Sequence, residues 1–241
     1  MNTESILKRL WKTVFGDPDD FIDAFFQIAY SPDRCRYLTQ DGQIVSALYW
    51  FDCQYGGRKL AYLYAVATDP AFRGQGFASR LLAETHSHLQ ALGYSGAVLK
   101  PAEGLFPFYE RLGYHTSCYV NQFVAEAGAI SVQIRELSPS EYARLRRTYL
   151  PKNGILQEGI TLEFLHTFGQ FYEAADALLC VAADRSAVFE YLGNPDSASG
   201  ILRSLGIQRA SLTTPGSSIP FAMYLPLDDA PAPGYLGITL E

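Results

Sequence analysis

Apolar residues return at helical spacing through the first thirty positions. Ile6, Leu7, Leu10, Trp11, Val14 and Phe15 share one face, and Phe21, Ile22, Phe25, Phe26 and Ala29 share another; a repeat of three to four residues marks a helix buried on one side. Gly16 predicts the end of the first helix. Asp17-Pro18 predicts the start of the second, with an aspartate side-chain cap and proline at the first helical position. The period then changes to two. Cys35 to Thr39, Ile44 to Asp52 and Leu60 to Ala67 read as strands, with Asp41-Gly42 and Gly56-Gly57 in hairpin-turn positions between them. In the third strand Tyr62 and Tyr64 fall on one face, Leu63 and Ala65 on the other.

A turn containing Pro70, Arg73, Gly74 and Gly76 leads into a helix that presents Ala78, Leu81, Leu82, Thr85, Leu89 and Leu92 inward and stops at Gly93. Gly96 to Lys100 reads as a strand, Glu103 to Tyr114 as a short helix closed by Gly113, and Tyr114 to Ala125 as another strand. A boundary is expected near Ala125 to Ala129. Beyond it come a strand at Ile130 to Arg135, a helix opened by the capping box Ser138-Pro139-Ser140-Glu141, and a second helix over Leu162 to Phe171. Strands at Ala177 to Ala183 and Ala187 to Leu192 meet at a turn around Asp184-Arg185. A helix from Ala198 to Leu205 ends at Gly206, and three last strands are expected at Gln208 to Thr213, Phe221 to Leu225 and Tyr235 to Leu240. The second half echoes the order of elements in the first without repeating its sequence.

Length and charge narrow the picture. The 241 residues suit one large domain or two small ones, and a net charge of −6 without a Lys/Arg run argues against nucleic acid as a partner. Cys35, Cys53, Cys118 and Cys180 are scattered, with no C-x-x-C pair. Met1 to Lys12 is charged and lacks an apolar signal core, and no apolar run approaches the ~20 residues of a membrane span. The expectation is a reduced, cytoplasmic protein with no membrane association. His86 and His88, two apart, cannot share a helical face and read as solvated; no metal site is expected.

The chemistry concentrates in the turn after the third strand. Small residues at a strand-to-helix junction let backbone approach a ligand, and the unpaired N–H groups at the helix start favour an anion. Arg73 adds a positive charge beside them, so Gly74-Gln75-Gly76 reads as a diphosphate cradle for a nucleotide-like cofactor. An ordinary tight turn explains a lone Gly-x-Gly equally well. A P-loop is excluded because Phe77-Ala78 stands where Lys-Ser/Thr is required. A dinucleotide fingerprint is weak, with Ser79 at the helix start and Lys100 ending the next strand.

A second motif downstream gives the first a context. Arg73-Gly74-Gln75-Gly76-Phe77-Ala78 and Phe106-Pro107-Phe108-Tyr109-Glu110-Arg111-Leu112-Gly113-Tyr114 together resemble the diphosphate loop and the later aromatic segment of the GNAT superfamily, the Gcn5-related N-acetyltransferases. The resemblance covers about residues 1–125. It implies an α/β (α+β) fold, a mixed central sheet with flanking helices, and, by a narrower similarity to tandem members such as the enhanced-intracellular-survival type, two GNAT-like halves: an acetyl-CoA-binding domain over 1–125 and a degenerate one over 126–241. It further implies that the backbone of Val66, Ala67 and Thr68 holds the pantetheine arm and the thioester carbonyl. The segment Arg73, Gly74, Gln75, Gly76, Phe77, Ala78 and Ser79 would take the diphosphate, with Tyr109 as the general acid toward the departing thiolate.

Acetyl transfer also needs a neutral amine and a donor for the developing oxyanion. Strand N–H groups serve the second need, and a phenol suits the acid role. The base is left open among Glu103, Tyr64 and the terminal carboxylate of Glu241, directly or through water. The functional expectation is N-acetylation of a small amine from acetyl-CoA, without a metal. Its alternatives are an acetyl-CoA-binding module without transfer activity and a protein or peptide N-acetyltransferase.

Overall fold

Consecutive left-handed residues build both hairpins of the first half. Asp41 and Gly42 have φ of 51° and 76°, Gly56 and Gly57 of 56° and 76°, the geometry whose twist matches that of the strands it joins. The computed structural model describes residues 2–174 and 176–240. Helices α1 (Thr3–Phe15) and α2 (Asp19–Ile28) precede the meander β1 (Cys35–Gln40), β2 (Gln43–Tyr55) and β3 (Arg58–Thr68). Then follow α3 (Phe77–Ala91), β4 (Gly96–Leu99), α4 (Phe106–Glu110) and β5 (His115–Glu126). The rest of the chain forms β6 (Ile134–Leu137), α5 (Pro139–Tyr149), β7 (Leu156–Gln157), α6 (Ile160–Leu165), β8 (Gly169–Ala174), β9 (Ala177–Ala182), β10 (Ala187–Leu192), α7 (Ala198–Leu205), β11 (Arg209–Pro215) and β12 (Ile219–Pro226).

The strands make one mixed sheet in the order β1-β2-β3-β4-β12-β5-β11-β10-β9-β8-β6, with β7 paired to β2. The late strand β12 thus lies between β4 and β5, antiparallel to both. Gly96 permits this: a Cβ there would sit 2.3 Å from the Tyr224 ring. Alternation along the strands splits the core. Leu7, Trp11, Phe25, Phe51, Tyr142 and Phe164 belong to one cluster, so α1, α2, α5 and α6 share a face. On the other face α3 and α4 cover Leu63, Ala97 and Leu99, and α7 covers Leu179, Val181 and Leu212.

Five local expectations change. Asp17 does not cap α2; its Oδ2 accepts a 2.7 Å bond from Trp11 Nε1, and Pro18 occupies the cap position without a side-chain bond. A buried indole N–H must find a partner, and that need outweighs the cap. Leu92 is 51% exposed, because α3 has ended and the chain reverses through Gly93. The helix expected over Leu162 to Phe171 stops at Leu165, and β8 begins at Gly169, where a Cβ would press on Leu165 O at 3.2 Å and Cys180 Sγ at 3.3 Å. The strand expected over Ile130 to Arg135 forms at Ile134–Leu137. Finally, residues 235–240 form no strand beyond a single bridge from Tyr235 to Gly154, although Tyr235, Leu236, Ile238 and Leu240 are buried. Beyond Tyr235, whose backbone bonds Asn153 and Ile155, side chains hold this segment: Gln157 Nε2 donates to Ile238 O at 2.8 Å.

Candidate active site

The regular pleat of β3 breaks at one position. Between the pairs Ala47↔Ala67 and Tyr49↔Tyr64, β2 has one residue and β3 has two, Ala65 and Val66. Ala65 takes a φ of 48°, a left-handed conformation that costs a residue with a Cβ about 1 kcal/mol or more. This β-bulge turns Tyr64 and Ala65 toward one face and Val66 toward the other. On its other side β3 pairs with β4 only over Leu60, Ala61 and Tyr62. Beyond Tyr62 the two parallel strands part, and the bulge lies at that opening.

A cradle follows at the end of β3. Asp69 Oδ1 accepts from Ala71 N at 2.9 Å, closing a 3-10 turn, and Arg73 Nε donates to Thr68 O at 3.2 Å. Gly74 and Gly76 have φ of 76° and 81°, and a Cβ on either would meet nothing within 4 Å. Glycine is required here by backbone conformation, while the space beside it stays open. Gly76 caps α3 with no side-chain hydrogen bond, and the first turn of this 15-residue helix carries no acid, so its N–H groups and dipole face an uncapped end. A cavity of about 350 Å³ lies there, bounded by Thr68, Arg73, Gly74, Gly76, Ser79 and Phe108. An anion fits this donor set. Gln75 donates to Ala71 O at 3.3 Å, Ala78 is half-buried, and Phe77 is buried in the α3 core.

On the opposite face a chamber of about 690 Å³ reaches the bulge. Trp11, Phe15, Asp17 and Phe21 form one wall, and Tyr64, Ala65 and Ala102 the base. Phe168, Asp184, Ser186 and Phe189, with Leu240, close it from the second half of the chain. The rings interlock: Trp11 meets Tyr64 at 5.5 Å, and Phe21 meets Phe168 at 5.4 Å. Tyr64 Oη donates a 2.7 Å bond to Leu240 O. Asp184 sits at the exposed tip of the β9–β10 hairpin, where hydrogen bonds from the Ser186 side chain and backbone hold its carboxyl below the usual range.

Of the residues singled out from sequence, Val66 belongs to the bulge, Ala67 and Thr68 follow it, and Arg73, Gly74, Gly76, Phe77, Ala78 and Ser79 border the cradle. Tyr109 is buried on the α3 side, edge-on to Phe108 at 5.0 Å and Tyr114 at 5.6 Å, in the same cluster that Val66 packs against. It lines neither cavity, although its neighbour Phe108 lines the cradle. Glu103 is exposed, precedes the start of α4 at Phe106, and borders neither space. Glu241 lies outside the described residues. His86 is not a solvated residue: its Nε2 is 2.7 Å from the Tyr114 hydroxyl, and burial lowers its pKa to about 4. Ala65, Asp184, Phe168 and Phe189 carried no sequence signal toward the site, since a bulge leaves the apolar alternation intact and Asp184-Arg185 reads as a turn. Among the described residues no group of three or more His, Cys, Asp or Glu is placed to hold a metal ion, and no helix is long and apolar enough to cross a membrane.

Comparison with known proteins agrees with this layout. Residues 3–117 match the acetyltransferase (GNAT) domain family. A GCN5-related N-acetyltransferase from Anabaena variabilis superposes with a TM-score of 0.70 at 14% identity, over 94% of this chain and 71% of the other. One from Kribbella flavida gives 0.67 at 17%, over 94% and 71%. Eis1 from Mycobacterium abscessus gives 0.67 at 12%, over 93% and 71%. Comparison with curated protein sequences gives no match. The strand, glycine turn and helix around Gly76 therefore lie within the part of the chain that matches a GNAT acetyltransferase domain, and the whole chain shares the fold of these solved structures.

Proposed function

We propose that the protein moves an acetyl group from acetyl-CoA to the primary amine of a small acceptor held in the 690 Å³ chamber. One observation carries the reading: the cradle and the chamber open onto the same strand, Thr68 bordering one and Ala65 the other. Three residues of extended chain span about 10 Å, so a single ligand with its anionic end at Gly74 to Ser79 reaches the chamber with its other end. In this reading the backbone of Val66, Ala67 and Thr68 lies along the ligand's arm. The bulge supplies N–H groups that pairing with β4 does not occupy, and these serve the developing oxyanion.

The amine nitrogen bonds to the thioester carbonyl carbon, the C–S bond breaks, the amine loses a proton and the thiolate gains one. Tyr109 is the proposed acid; it packs edge-on against the cradle-lining Phe108, in the cluster that Val66 packs against. As for the base, Glu103 stands apart from the chamber, and Tyr64 already donates its proton to Leu240 O. Glu241, next in sequence to the chamber-lining Leu240, is the proposed base. Walls from both halves of the chain favour a small acceptor over a peptide. The four free, buried cysteines fit a reducing cytoplasm.

The test is thermal unfolding with increasing acetyl-CoA, for the parent and for Gly76→Glu, together with coenzyme A release across a panel of amines. Selective binding to the folded state raises the midpoint, and the carboxylate of Gly76→Glu is expected to abolish that rise. No rise in the parent at saturating acetyl-CoA overturns the reading.

A further inference from the structure

We propose that the acceptor is a ring-bearing amine with a second positive charge, its ring held among Trp11, Phe21 and Phe189 and its distal cation at Asp17 and Asp184. The inference rests on the acyl-transfer reading above and concerns the wall that reading leaves unexplained. An acetyltransferase chamber needs only room for an amine beside the bulge at Ala65. This one has more: an aromatic lining on both sides and two carboxylates.

The carboxylates come from opposite walls. Asp17 ends the α1–α2 connection, and its Oδ2 is oriented by the 2.7 Å bond from Trp11 Nε1. Among the described residues no donor is bonded to its Oδ1. Asp184 projects from the β9–β10 tip, fixed through Oδ1 by Ser186 N at 2.9 Å. The nearest cations are turned elsewhere. Lys12 Nζ bonds the Asp17 carbonyl and pairs with Asp19, and Arg185 is tied to the Leu205 carbonyl. Among the described residues no Lys, Arg or His borders the chamber. Aromatic faces attract a cation electrostatically, and more strongly once water is excluded. An anionic group on the acceptor would meet two carboxylates and no matching cation in this lining, which selects against acids as well as for amines.

The chamber also divides the labour along the acceptor. The nitrogen to be acetylated must be neutral when it attacks, so it belongs at Ala65, away from the stabilising charge of Asp184 at the exposed rim. A second nitrogen that stays protonated is what the rim can hold. The apolar body between them occupies the rings.

Three amines with one core separate these requirements: para-xylylenediamine, para-methylbenzylamine and para-(aminomethyl)benzoate, differing only in the group opposite the reacting amine. Hexamethylenediamine is the dication without a ring. The expected kcat/KM for the xylylene dication is about tenfold above the methyl compound and about a hundredfold above the benzoate, mostly through KM, one charge contact being worth roughly a factor of ten. Hexamethylenediamine is expected about tenfold below the ring-bearing dication. Asp184→Asn, at an exposed turn, should remove the preference for the dication while the methyl compound changes less than about twofold. Calorimetric binding of the same amines to the protein saturated with coenzyme A reads the preference without turnover. Dication-selective binding that Asp184→Asn abolishes upholds the acceptor class even where no acetyl transfer is seen, in which case it is the transfer reading that falls. Equal binding or turnover of the benzoate, or an equal loss for all amines in Asp184→Asn, overturns the acceptor class.

Discussion

The phenol of Tyr64 donates a 2.7 Å hydrogen bond to the carbonyl of Leu240, joining residues 176 positions apart at the base of the 690 Å³ chamber. Tyr64 is the last β3 residue before the bulge, and Leu240 belongs to a buried segment that forms no strand beyond the single bridge at Tyr235. The contact therefore ties the irregularity in the first half to the part of the second half that closes over it.

Removing that hydroxyl tests the tie. Tyr64→Phe leaves a buried carbonyl without its donor and is expected to cost about 1–2 kcal/mol. Urea unfolding reads the loss. Because Leu240 and Tyr64 both line the chamber, KM for the acceptor should rise while the acetyl-CoA-induced stabilisation stays as in the parent.

The same segment is pinned from behind by a fully buried ion pair. Glu190 accepts from Arg146 Nε at 2.7 Å and Nη2 at 2.8 Å, from Tyr142 at 2.6 Å and from Tyr235 at 3.0 Å. Neither charged side chain has solvent exposure. Such a carboxylate is satisfied only while all its donors remain, so Glu190→Gln, leaving the Arg146 charge unmatched, should destabilise by about 3–5 kcal/mol. Gly237→Ala should also destabilise strongly without changing any charge, because its Cβ would fall 1.7 Å from Glu190 Oε1. Denaturant titrations of both variants check this; a neutral Gly237→Ala would show that the segment moves aside freely.

Protonation of His86 sets an acid limit. Burial lowers its pKa to about 4 in the folded protein, against about 6.5 in an unfolded chain. Between those values the unfolded state binds the extra proton, so stability increases with pH; it is complete above about 6.5 and declines as pH falls toward 4. The contribution is at most about 3 kcal/mol. Unfolding free energies of the parent and His86→Gln at pH 7.5 and pH 5 should show a smaller pH dependence in the variant.

Tyr109→Phe examines the acid. If the phenol protonates the leaving thiolate, turnover falls about a hundredfold, while acetyl-CoA still raises the unfolding midpoint. Since Tyr109 packs edge-on against Phe108 and Tyr114, the phenylalanine ring keeps that packing, and a loss of turnover reports on the hydroxyl. Unchanged turnover across pH would remove Tyr109 from the role.

Much of the protein is legible in its sequence because the responsible forces are local. Turns at Asp41-Gly42 and Gly56-Gly57, the capping box at Ser138 and Glu141, and the glycine turn before α3 depend on conformations that only a few residue types adopt cheaply. The stripes of α1 and α2 follow from helical periodicity and predict burial of Leu10, Trp11, Phe25 and Phe26. The cradle was visible for the same reason: its ligand would meet backbone, and the glycines that expose backbone are written in the chain.

What lay outside that reach depends on partners distant in sequence. Asp17 has the form of a helix cap, and only the arrival of the Trp11 indole redirects it. The apolar run at 235–240 looks like a strand, yet beyond the single bridge at Tyr235 the carbonyls of Ile238 and Leu240 are taken by the side chains of Gln157 and Tyr64. No residue type announces the extra residue at Ala65, because the bulge arises from the mismatch of β3 against β2. By itself, then, the sequence determined the local frame: the helices, the hairpins and a glycine turn shaped for an anion. Only the tertiary structure decided that β12 enters between β4 and β5, and that Asp17 and Asp184 share one chamber. Pairing and burial between distant segments select among many apolar matches of similar worth, and that choice is made by the assembled sheet.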